Sequence, residues 1–448
     1  MYRNEDIEII KMNIDNITEE AMLVYKTNYE PTLKENKEVY AEILNFIKKK
    51  NRIIYGGYAQ NQLILVKNEN DGFYKDSHTP DIEFYSFEPL ADLIELCDYL
   101  KSKHFKYVQG SEGMHEGTYK IFVNFVNYCD ISYLAKNIYD NCPIIKFKDD
   151  IRYIHPYFMA IDIFRVFVDP MTSYWRLDKS FKRYLKLSRY YPIEYSGNKE
   201  VVFKHLAPIN ILKVIRHKII HNSKYIVVGA YAFNYYVKKI NRDLVKINFY
   251  EIITDDLDND AKKIYSILKN KFGDKIKVNE YNPFSDFFDK RIEFLYENTR
   301  VLRVYNNNHR CIVYNTSTKK KTHFGTTQLV FLYLIANYNY YLINKELENS
   351  TNYLNMFLKL NEAKDKYLFK HNITVLDSSP FKEFTFKCNG KPVSLERESL
   401  LKIMERKKKN LLLKFKYNPT GKPGKVPEYN FSNTSGNKII NEKYLLIK

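Results

Sequence analysis

The chain alternates short apolar runs with longer segments in which apolar residues recur at helical spacing. Runs at residues 53–55 and 121–134 predict strands, because they are short and rich in β-branched and aromatic residues. Residues 39–47 and 90–100 carry apolar positions three and four apart, which predicts amphipathic helices. A further helix is expected from residue 58. The order of these elements predicts a small mixed sheet with helices packed on it.

The same order of elements occurs twice. VVGAYAFN at 227–234 matches IYGGYAQN at 54–61, with Gly229 against Gly56, an offset of 173. Further on, the segment starting at Thr254 matches the segment starting at Ser86, an offset of 168, so the second copy is shorter between these two anchors. The sequence therefore predicts an α+β (mixed α/β) protein with two tandem domains that arose by internal duplication.

These matches divide the chain into five segments. The predicted boundaries are an N-terminal arm (1–30), a first domain (31–150), a helical linker (151–195), a second domain (196–322), and a helical and basic C-terminal region (323–448).

Candidate chemistry is concentrated in the first copy. The pair Gly56-Gly57 follows the first strand, and Asp81 and Glu83 lie two residues apart in the next one. Residues i and i+2 of a strand point to the same face, so both carboxylates can reach one ion. Asp130, on a later strand, is the candidate third acid. Oxygen ligands suit Mg²⁺, and two such ions can hold an attacking hydroxyl and a departing pyrophosphate.

The second copy lacks most of this chemistry. Its alignment places Glu251 at the position of Glu83, but Phe249 at the position of Asp81 and Leu302 at that of Asp130. We therefore expect the second domain to be degenerate and to bind no metal ions.

Charge adds a candidate surface. The formal net charge is +18, and residues 401–448 hold 12 Lys and Arg against 3 Glu, or +9, which favours a polyanionic partner. The linker carries a basic stripe at positions i, i+3, i+7 and i+10, formed by Arg176, Lys179, Arg183 and Lys186. Such a stripe is either a solvated helix face or a contact for phosphates.

The cysteines and the apolar runs exclude other classes of protein. The 5 cysteines include no CxxC pair, so neither a zinc site nor a disulfide framework is expected, and the thiols should be reduced. No apolar run resembles a signal sequence or a membrane span, so we expect a protein that is neither secreted nor inserted in a membrane.

The combination of GG, then D-x-[DE], then a later strand Asp resembles the nucleotidyltransferases of the DNA polymerase β type. The surrounding sequence is most similar to the poly(A) polymerases of large cytoplasmic DNA viruses, including poxviruses. This resemblance implies template-independent addition of AMP from ATP to the 3′ end of viral mRNA. The roles that it implies are binding of two Mg²⁺ or Mn²⁺ ions by the catalytic carboxylates Asp81, Glu83 and Asp130, and binding of the nucleotide by Gly56, Gly57 and Tyr58.

The resemblance also implies partners. They are the RNA 3′ end, together with either a second copy in a homodimer or a processivity partner similar to a cap 2′-O-methyltransferase. The implied location is the host cytoplasm, in the viral factory, and also the virion. Three alternatives stay open: a uridylyl- or CCA-adding enzyme, a non-catalytic RNA-binding polyadenylation subunit, and a toxin-like enzyme that modifies proteins or small molecules.

Overall fold

The structure is a computed structural model that describes residues 1–74, 78, 80–147, 150–240, 244–285, 287–307, 310–317, 321–386, 388–389, 392–428, 431, 435 and 439–441. Its α-helices are α1 (Asn4–Asn28), α2 (Leu33–Lys49), α3 (Gly56–Lys67), α4 (Pro89–Ser102), α5 (Lys136–Tyr139), α6 (Pro156–Val168), α7 (Pro170–Ser173), α8 (Leu177–Tyr190), α9 (Ile209–Val214), α10 (Gly229–Val237), α11 (Leu257–Phe272), α12 (Thr327–Ile343), α13 (Leu347–His371) and α14 (Leu395–Lys408).

The strands are β1 (Ile53–Tyr55), β2 (Ile82–Ser86), β3 (Gln109–Glu112), β4 (Thr118–Val123), β5 (Val126–Tyr133), β6 (Ile144–Lys146), β7 (Arg152–Ile154), β8 (Ile226–Val228), β9 (Tyr250–Thr254), β10 (Ile276–Tyr281), β11 (Arg291–Tyr296), β12 (Thr299–Asn306), β13 (Ile312–Ser317), β14 (Thr322–Gly325), β15 (Cys388–Asn389), β16 (Lys416–Tyr417) and β17 (Ile439–Asn441). The chain forms two compact units. The first contains Met1–Tyr133, Ile144–Ile154 and Ser399–Phe431, and the second contains Leu134–Pro143, His155–Glu398 and Ser432–Lys448.

The first unit is built on a mixed sheet of order β16-β3-β4-β5-β2-β1-β7-β6. Strand β2 lies antiparallel to β1 and parallel to β5. Ile82 and Phe84 of β2 and Cys129 and Ile131 of β5 are buried, whereas Glu83 and Asp130 between them are partly exposed. This period of two gives the sheet one core face and one more open face.

Helices α2 and α4 complete the core of this unit. A capping box at Thr32 and Glu35 fixes the start of α2, because each residue satisfies a backbone or side-chain group of the other. The apolar stripe predicted from the sequence is confirmed, since Val39, Ile43 and Phe46 are buried. A Cβ on Gly110 of β3 would lie 2.8 Å from Leu93 Cδ1 of α4, so the helix packs closely on the sheet at that point.

The second unit repeats this architecture, which confirms the predicted duplication. Its sheet has the order β15-β13-β14-β8-β9-β12-β11-β10-β17, and the core from β13 to β10 corresponds strand by strand to that from β6 to β3. The registers agree as well. Glu83 faces Tyr55 on one side and Asp130 on the other, and Glu251 faces Val228 and Arg303 in the same way.

The C-terminal extension contributes an edge strand to each sheet. Strand β16 pairs with β3, and β17 pairs with β10, so the equivalent edge of each sheet is covered. The extension also forms ion pairs within the first unit, where Arg406 binds Glu112 at 2.8 Å and Lys402 binds Glu116 at 2.8 Å. Several residues of the predicted basic region, including 442–448, lie outside the described residues.

The described cysteines differ in their bonding state. Cys97, Cys129 and Cys142 are free thiols, but Cys311 is disulfide-bonded, so the expectation that every thiol is reduced is wrong at this position. Sequence spacing could not reveal this bond, because a disulfide depends on which distant residues the fold brings within bonding distance. Among the described residues, no helix is both long and apolar enough to cross a membrane.

A buried ion pair links the start of β1 to α4, and it generates the first prediction. Arg52, 3% exposed, donates to Asp92, 0% exposed, at 2.8 Å. Burial raises the pKa of Asp92 above its ordinary value even with this partner present. We expect Arg52→Met to lower the free energy of unfolding by about 3–5 kcal/mol, because it leaves a buried carboxylate unpaired. Urea unfolding measures this loss.

The same experiment includes a pH arm and a control. Without Arg52 the pKa of Asp92 rises further, so its protonated form predominates in acid and the loss should be smaller there than at neutral pH. Arg152, which is partly exposed and donates to the Asn51 carbonyl at 3.0 Å, provides the matched control Arg152→Met. An equal loss in both variants would contradict a special role for the buried pair.

Candidate active site

The predicted carboxylates lie at the centre of the first sheet. Asp81 immediately precedes β2, Glu83 lies within it, and Asp130 lies opposite Glu83 on the parallel strand β5. All three are partly exposed, whereas the intervening Ile82 is buried. Residues paired across neighbouring strands share a face, so the structure brings these carboxylates to one open face of the sheet.

The glycine pair fixes the position of the Glu83 carboxylate. Gly56 has φ +69°, and a Cβ on it would lie 1.8 Å from Glu83 Oε2. The Gly57 amide donates to the same oxygen at 2.7 Å. Helix α3 begins at Gly56, two residues before the predicted start at Tyr58, so the positive end of its dipole faces the carboxylate. Tyr58 lies in the first turn and is half-buried.

Asp130 is held by two side chains that the sequence did not indicate. Lys120 Nζ, on the neighbouring strand β4, donates to Oδ1 at 2.9 Å and to Oδ2 at 2.7 Å. Asn127 Nδ2 donates to Oδ1 at 3.0 Å. Lys120 is paired directly with Asp130 in the β4–β5 register, so the alternation of β4 is the signal that could have identified it.

The carboxylates raise the pKa of two neighbouring groups. Burial raises the pKa of the Cys129 thiol well above its ordinary value, and nearby negative charges raise that pKa further, including those of Asp130, Asp81 and Glu83. The pKa of Tyr40 is also raised, first by burial and then by neighbours that include Asp81. The Tyr40 hydroxyl donates to the Pro80 carbonyl, next to Asp81. No sequence signal connects Tyr40 with this site.

The chemistry of the donor set fits a hard divalent cation. Three carboxylates on one face supply the oxygen ligands that Mg²⁺ and Mn²⁺ prefer. In the part of the chain that the structure describes, however, no group of three or more His, Cys, Asp and Glu side chains is arranged to hold a metal ion. Glu83 is directed at the Gly57 amide and Asp130 at Lys120, so these two carboxylates bind protein donors instead.

The second copy contains an ion network at the equivalent place. Phe249 occupies the position of Asp81, as predicted, but the register places Arg303, and not Leu302, at the position of Asp130. The predicted alignment is one residue out of register here, because sequence similarity alone does not fix the pairing of strands. Arg303 Nη1 lies 3.5 Å from Glu251 Oε1, so a guanidinium neutralises this carboxylate.

Further contacts close this degenerate site. The hydroxyls of Tyr305 and Tyr353 donate to Glu251 at 2.8 and 3.0 Å. Glu293 pairs with Arg303 at 2.8 Å, and both side chains are 1% exposed. Burial alone would raise the pKa of Glu293. The guanidinium groups of Arg300, Arg303 and Arg291 outweigh this effect and hold the pKa of Glu293 far below its ordinary value. Every carboxylate oxygen here has a cation or hydroxyl of the protein as its partner.

The basic stripe lies in the second unit. Lys179, Arg183 and Lys186 lie on α8, whereas Arg176 belongs to the short 3₁₀ turn that precedes it, so the predicted single helical stripe is interrupted at its first member. Arg176 and Lys179 are exposed, and Arg183 and Lys186 are half-buried. Binding of phosphates by these residues stays a prediction.

Comparison with known proteins gives a consistent result. The family described as "Poly(A) polymerase catalytic subunit" matches residues 41–173. The family described as the C-terminal part of an APMV poly(A) polymerase catalytic subunit matches residues 186–448. A protein of Acanthamoeba polyphaga mimivirus, named as a poly(A) polymerase catalytic subunit, is 30% identical over 499 residues, which cover 100% of this chain and 84% of the relative.

Two further comparisons differ in extent. A protein of the same name from African swine fever virus (isolate Pig/Kenya/KEN-50/1950) is 31% identical over 157 residues, which cover 34% of this chain and 32% of the relative. The crystal structure of the Megavirus polyadenylate synthase superposes with a TM-score of 0.91 at 31% identity, covering 100% of this chain and 94% of that one. The similarity therefore extends through both units.

The two strained glycines provide a matched pair for a second prediction. A Cβ on Gly229, with φ +65°, would lie 1.9 Å from Glu251 Oε2, as the one on Gly56 would from Glu83. We expect Gly56→Ala and Gly229→Ala each to lower the free energy of unfolding by at least about 1–2 kcal/mol, because each forces a left-handed alanine against a carboxylate.

Their effects on ligand binding should differ. Gly56→Ala displaces Glu83 and should weaken Mn²⁺ binding, whereas Gly229→Ala alters only the degenerate site and should leave it unchanged. Chemical unfolding and Mn²⁺ titration measure the two properties separately. Equal weakening of Mn²⁺ binding in both variants would contradict the assignment of the ion to the first unit.

Proposed function

This chain belongs to the viral poly(A) polymerase catalytic subunit family and is a polynucleotide adenylyltransferase, and we propose that it transfers AMP from ATP to the 3′ end of viral mRNA at the open face of the first sheet. The observation that carries this proposal is the register that sets Asp130 beside Glu83, with Asp81 two residues away on the same face. The second sheet, with Phe249 and Arg303 at two of these positions, is assigned no chemistry.

In this proposal each carboxylate has its own role. Asp81 and Glu83 would hold the divalent ions, and Asp130 would be a further carboxylate ligand. When bound, Mg²⁺ or Mn²⁺ would acidify the primer 3′-hydroxyl and stabilise the departing pyrophosphate. Gly57 supports Glu83 through its amide, which fixes one carboxylate oxygen.

The triphosphate is proposed to lie against the start of α3. The missing Cβ of Gly56 makes room for Glu83, and the N-terminal end of the helix favours an anion. The Gly57 amide is already engaged with Glu83, so its part in nucleotide binding is to position that ligand. Tyr58, half-buried in the first turn of α3, is proposed to border the nucleotide.

RNA is proposed to bind through its backbone. The basic stripe of Arg176, Lys179, Arg183 and Lys186, with the basic C-terminal region, supplies cations for phosphates, and such contacts do not depend on sequence and weaken with salt. Lys402 and Arg406 already form ion pairs with the first unit, so other residues of that region would bear most of this role. The proposed location is the host cytoplasm and the virion.

The test is primer extension with each nucleotide supplied separately. We expect long products with ATP alone, and a loss of at least about 100-fold in Asp81→Asn/Glu83→Gln, because that variant removes ligands from both ions. Glu251→Gln, at the equivalent position of the second sheet, should lower the stability because it takes a charged partner from the buried Arg303, but the folded protein should still extend the primer. Extension with UTP or CTP instead would favour a uridylyl- or CCA-adding enzyme.

The same assay tests the non-catalytic alternative. RNA binding without extension by any nucleotide would support an RNA-binding polyadenylation subunit. A cap 2′-O-methyltransferase-like partner is proposed only as a processivity factor, and longer products on its addition would support it.

Helix α1 gives the proposed homodimer a location. None of its residues is buried, and apolar side chains recur at alternating spacings of three and four along it. This is the heptad pattern of a coiled coil, which the sequence analysis did not recognise. The seam consists of Ile7, Ile10, Ile14, Ile17, Ala21 and Val24. In a parallel pair, Asp6 of one copy would lie opposite Lys11 of the other, so the seam complements itself in charge as well.

We expect Ile14→Asp/Ile17→Asp to yield a monomer, because two carboxylates in the seam cannot be buried against each other. Light scattering after gel filtration measures the mass. Ile9→Asp/Met12→Asp, on exposed positions outside the seam, is the control and should keep the mass of the wild type. A monomeric wild type would contradict the proposal, and three copies would show that isoleucine at both seam positions selects a trimer.

A further inference from the structure

We propose that Lys120 is a resident counter-ion of the active site, which leaves Asp130 when a divalent cation enters and then binds the phosphates of the incoming nucleotide. The inference rests on the proposed function of Asp81, Glu83 and Asp130. It assigns to Lys120 a counter-ion and phosphate-binding role that neither the sequence motif nor the family comparison indicates.

The geometry makes Lys120 and a metal ion alternatives. Lys120 Nζ lies 2.9 and 2.7 Å from the two carboxylate oxygens of Asp130, so it engages both oxygens that an ion would use. An ammonium group has only donors and cannot share a carboxylate oxygen with a nearby cation without repulsion. Binding of an ion by Asp130 therefore requires Lys120 to move.

Separation of Lys120 from Asp130 should cost little free energy, because the pair is partly exposed. The side chain of Lys120 is 32% exposed and that of Asp130 is 14% exposed, so the pair lies at the rim of the site and water can reach it. Partly exposed ion pairs contribute little net stability. Lysine also has a long flexible stem, so its ammonium group can swing away while its Cα stays in the sheet. Asn127 would continue to orient Asp130 at 3.0 Å.

Charge explains what the exchange achieves. Without Lys120, three carboxylates would share one face of the sheet and repel one another until an ion bound. With Lys120 in place, one of the three is neutralised in the ion-free enzyme. After the ion enters, the released ammonium group lies on the face where a triphosphate would bind, and phosphates are its natural partners.

The second sheet contains the same pair with its charges reversed. Glu293 lies at the position of Lys120 and Arg303 at that of Asp130, since each pair occupies the same register between equivalent strands. There both side chains are 1% exposed and separated by 2.8 Å, so the cation is permanent. In both copies one residue of this cross-strand pair is a cation. In the second sheet it is Arg303, which is buried and fixed, and in the first sheet it is Lys120, which can move away.

Mn²⁺ binding to the full-length protein without RNA tests the proposal, because no turnover occurs under these conditions. We expect Lys120→Met to tighten Mn²⁺ binding by about fivefold, since the ion no longer competes with the ammonium group. Lys120→Arg should weaken it, because a guanidinium holds a carboxylate through two parallel bonds. At saturating Mn²⁺, Lys120→Met should weaken ATP binding several-fold, so the two affinities change in opposite directions.

Controls separate this inference from the proposed function. Lys103, which pairs with Glu42 at 3.4 Å, provides the charge-matched control Lys103→Met, which should change neither affinity. Equal Mn²⁺ affinity in the wild type and both Lys120 variants would overturn the inference alone, provided that Asp81→Asn/Glu83→Gln abolishes Mn²⁺ binding. Persistence of Mn²⁺ binding in that double variant would overturn the assigned metal site and this inference together.

Discussion

The contact between Gly56 and Glu83 is the constraint on which the active site depends. Any side chain at position 56 would overlap the Glu83 carboxylate, and the left-handed backbone there would be strained in any residue but glycine. This contact directs the first strand into α3 and fixes the Glu83 oxygen on the Gly57 amide. With Glu83 fixed, the parallel pairing of β2 with β5 determines where Asp130 must lie.

The duplication shows that this constraint belongs to the fold and not to catalysis. Gly229 and Glu251 repeat the contact in the second sheet, although that sheet lacks the other carboxylates. What differs is the source of positive charge beside the glutamate. In the second sheet Arg303 provides it permanently from a buried position, whereas in the first sheet a partly exposed lysine pairs with the neighbouring aspartate. One architecture thus supports a closed structural site and an open site suited to exchangeable cations.

The buried network of the second sheet also shows why such a copy can persist after its chemistry is lost. Glu251, Glu293, Arg291 and Arg303 are almost completely buried, and removal of any one of them would leave an unpaired charge in the core. Substitution of any one of these residues therefore lowers the stability, which favours retention of the whole network. The network also makes this sheet a poor site for a nucleotide, because its carboxylates already have partners.

The sequence by itself determined the local elements, the duplication and the identity of the candidate carboxylates. These follow from short-range physics: the period of two in a strand and the spacing of apolar residues in α2. Residues two apart in one strand, such as Asp81 and Glu83, can be placed on one face without knowledge of the rest of the fold.

Only the tertiary structure decided which distant side chains meet. The partners of Asp130, the proximity of Tyr40 to Asp81, and the disulfide at Cys311 all depend on pairing between segments far apart in the chain. Strand register decided that Arg303 replaces the third aspartate, since a shift of one residue turns a side chain to the opposite face. The sequence shows which residue types are present, but it does not show which of them pair, because strand register is set by packing of the whole sheet.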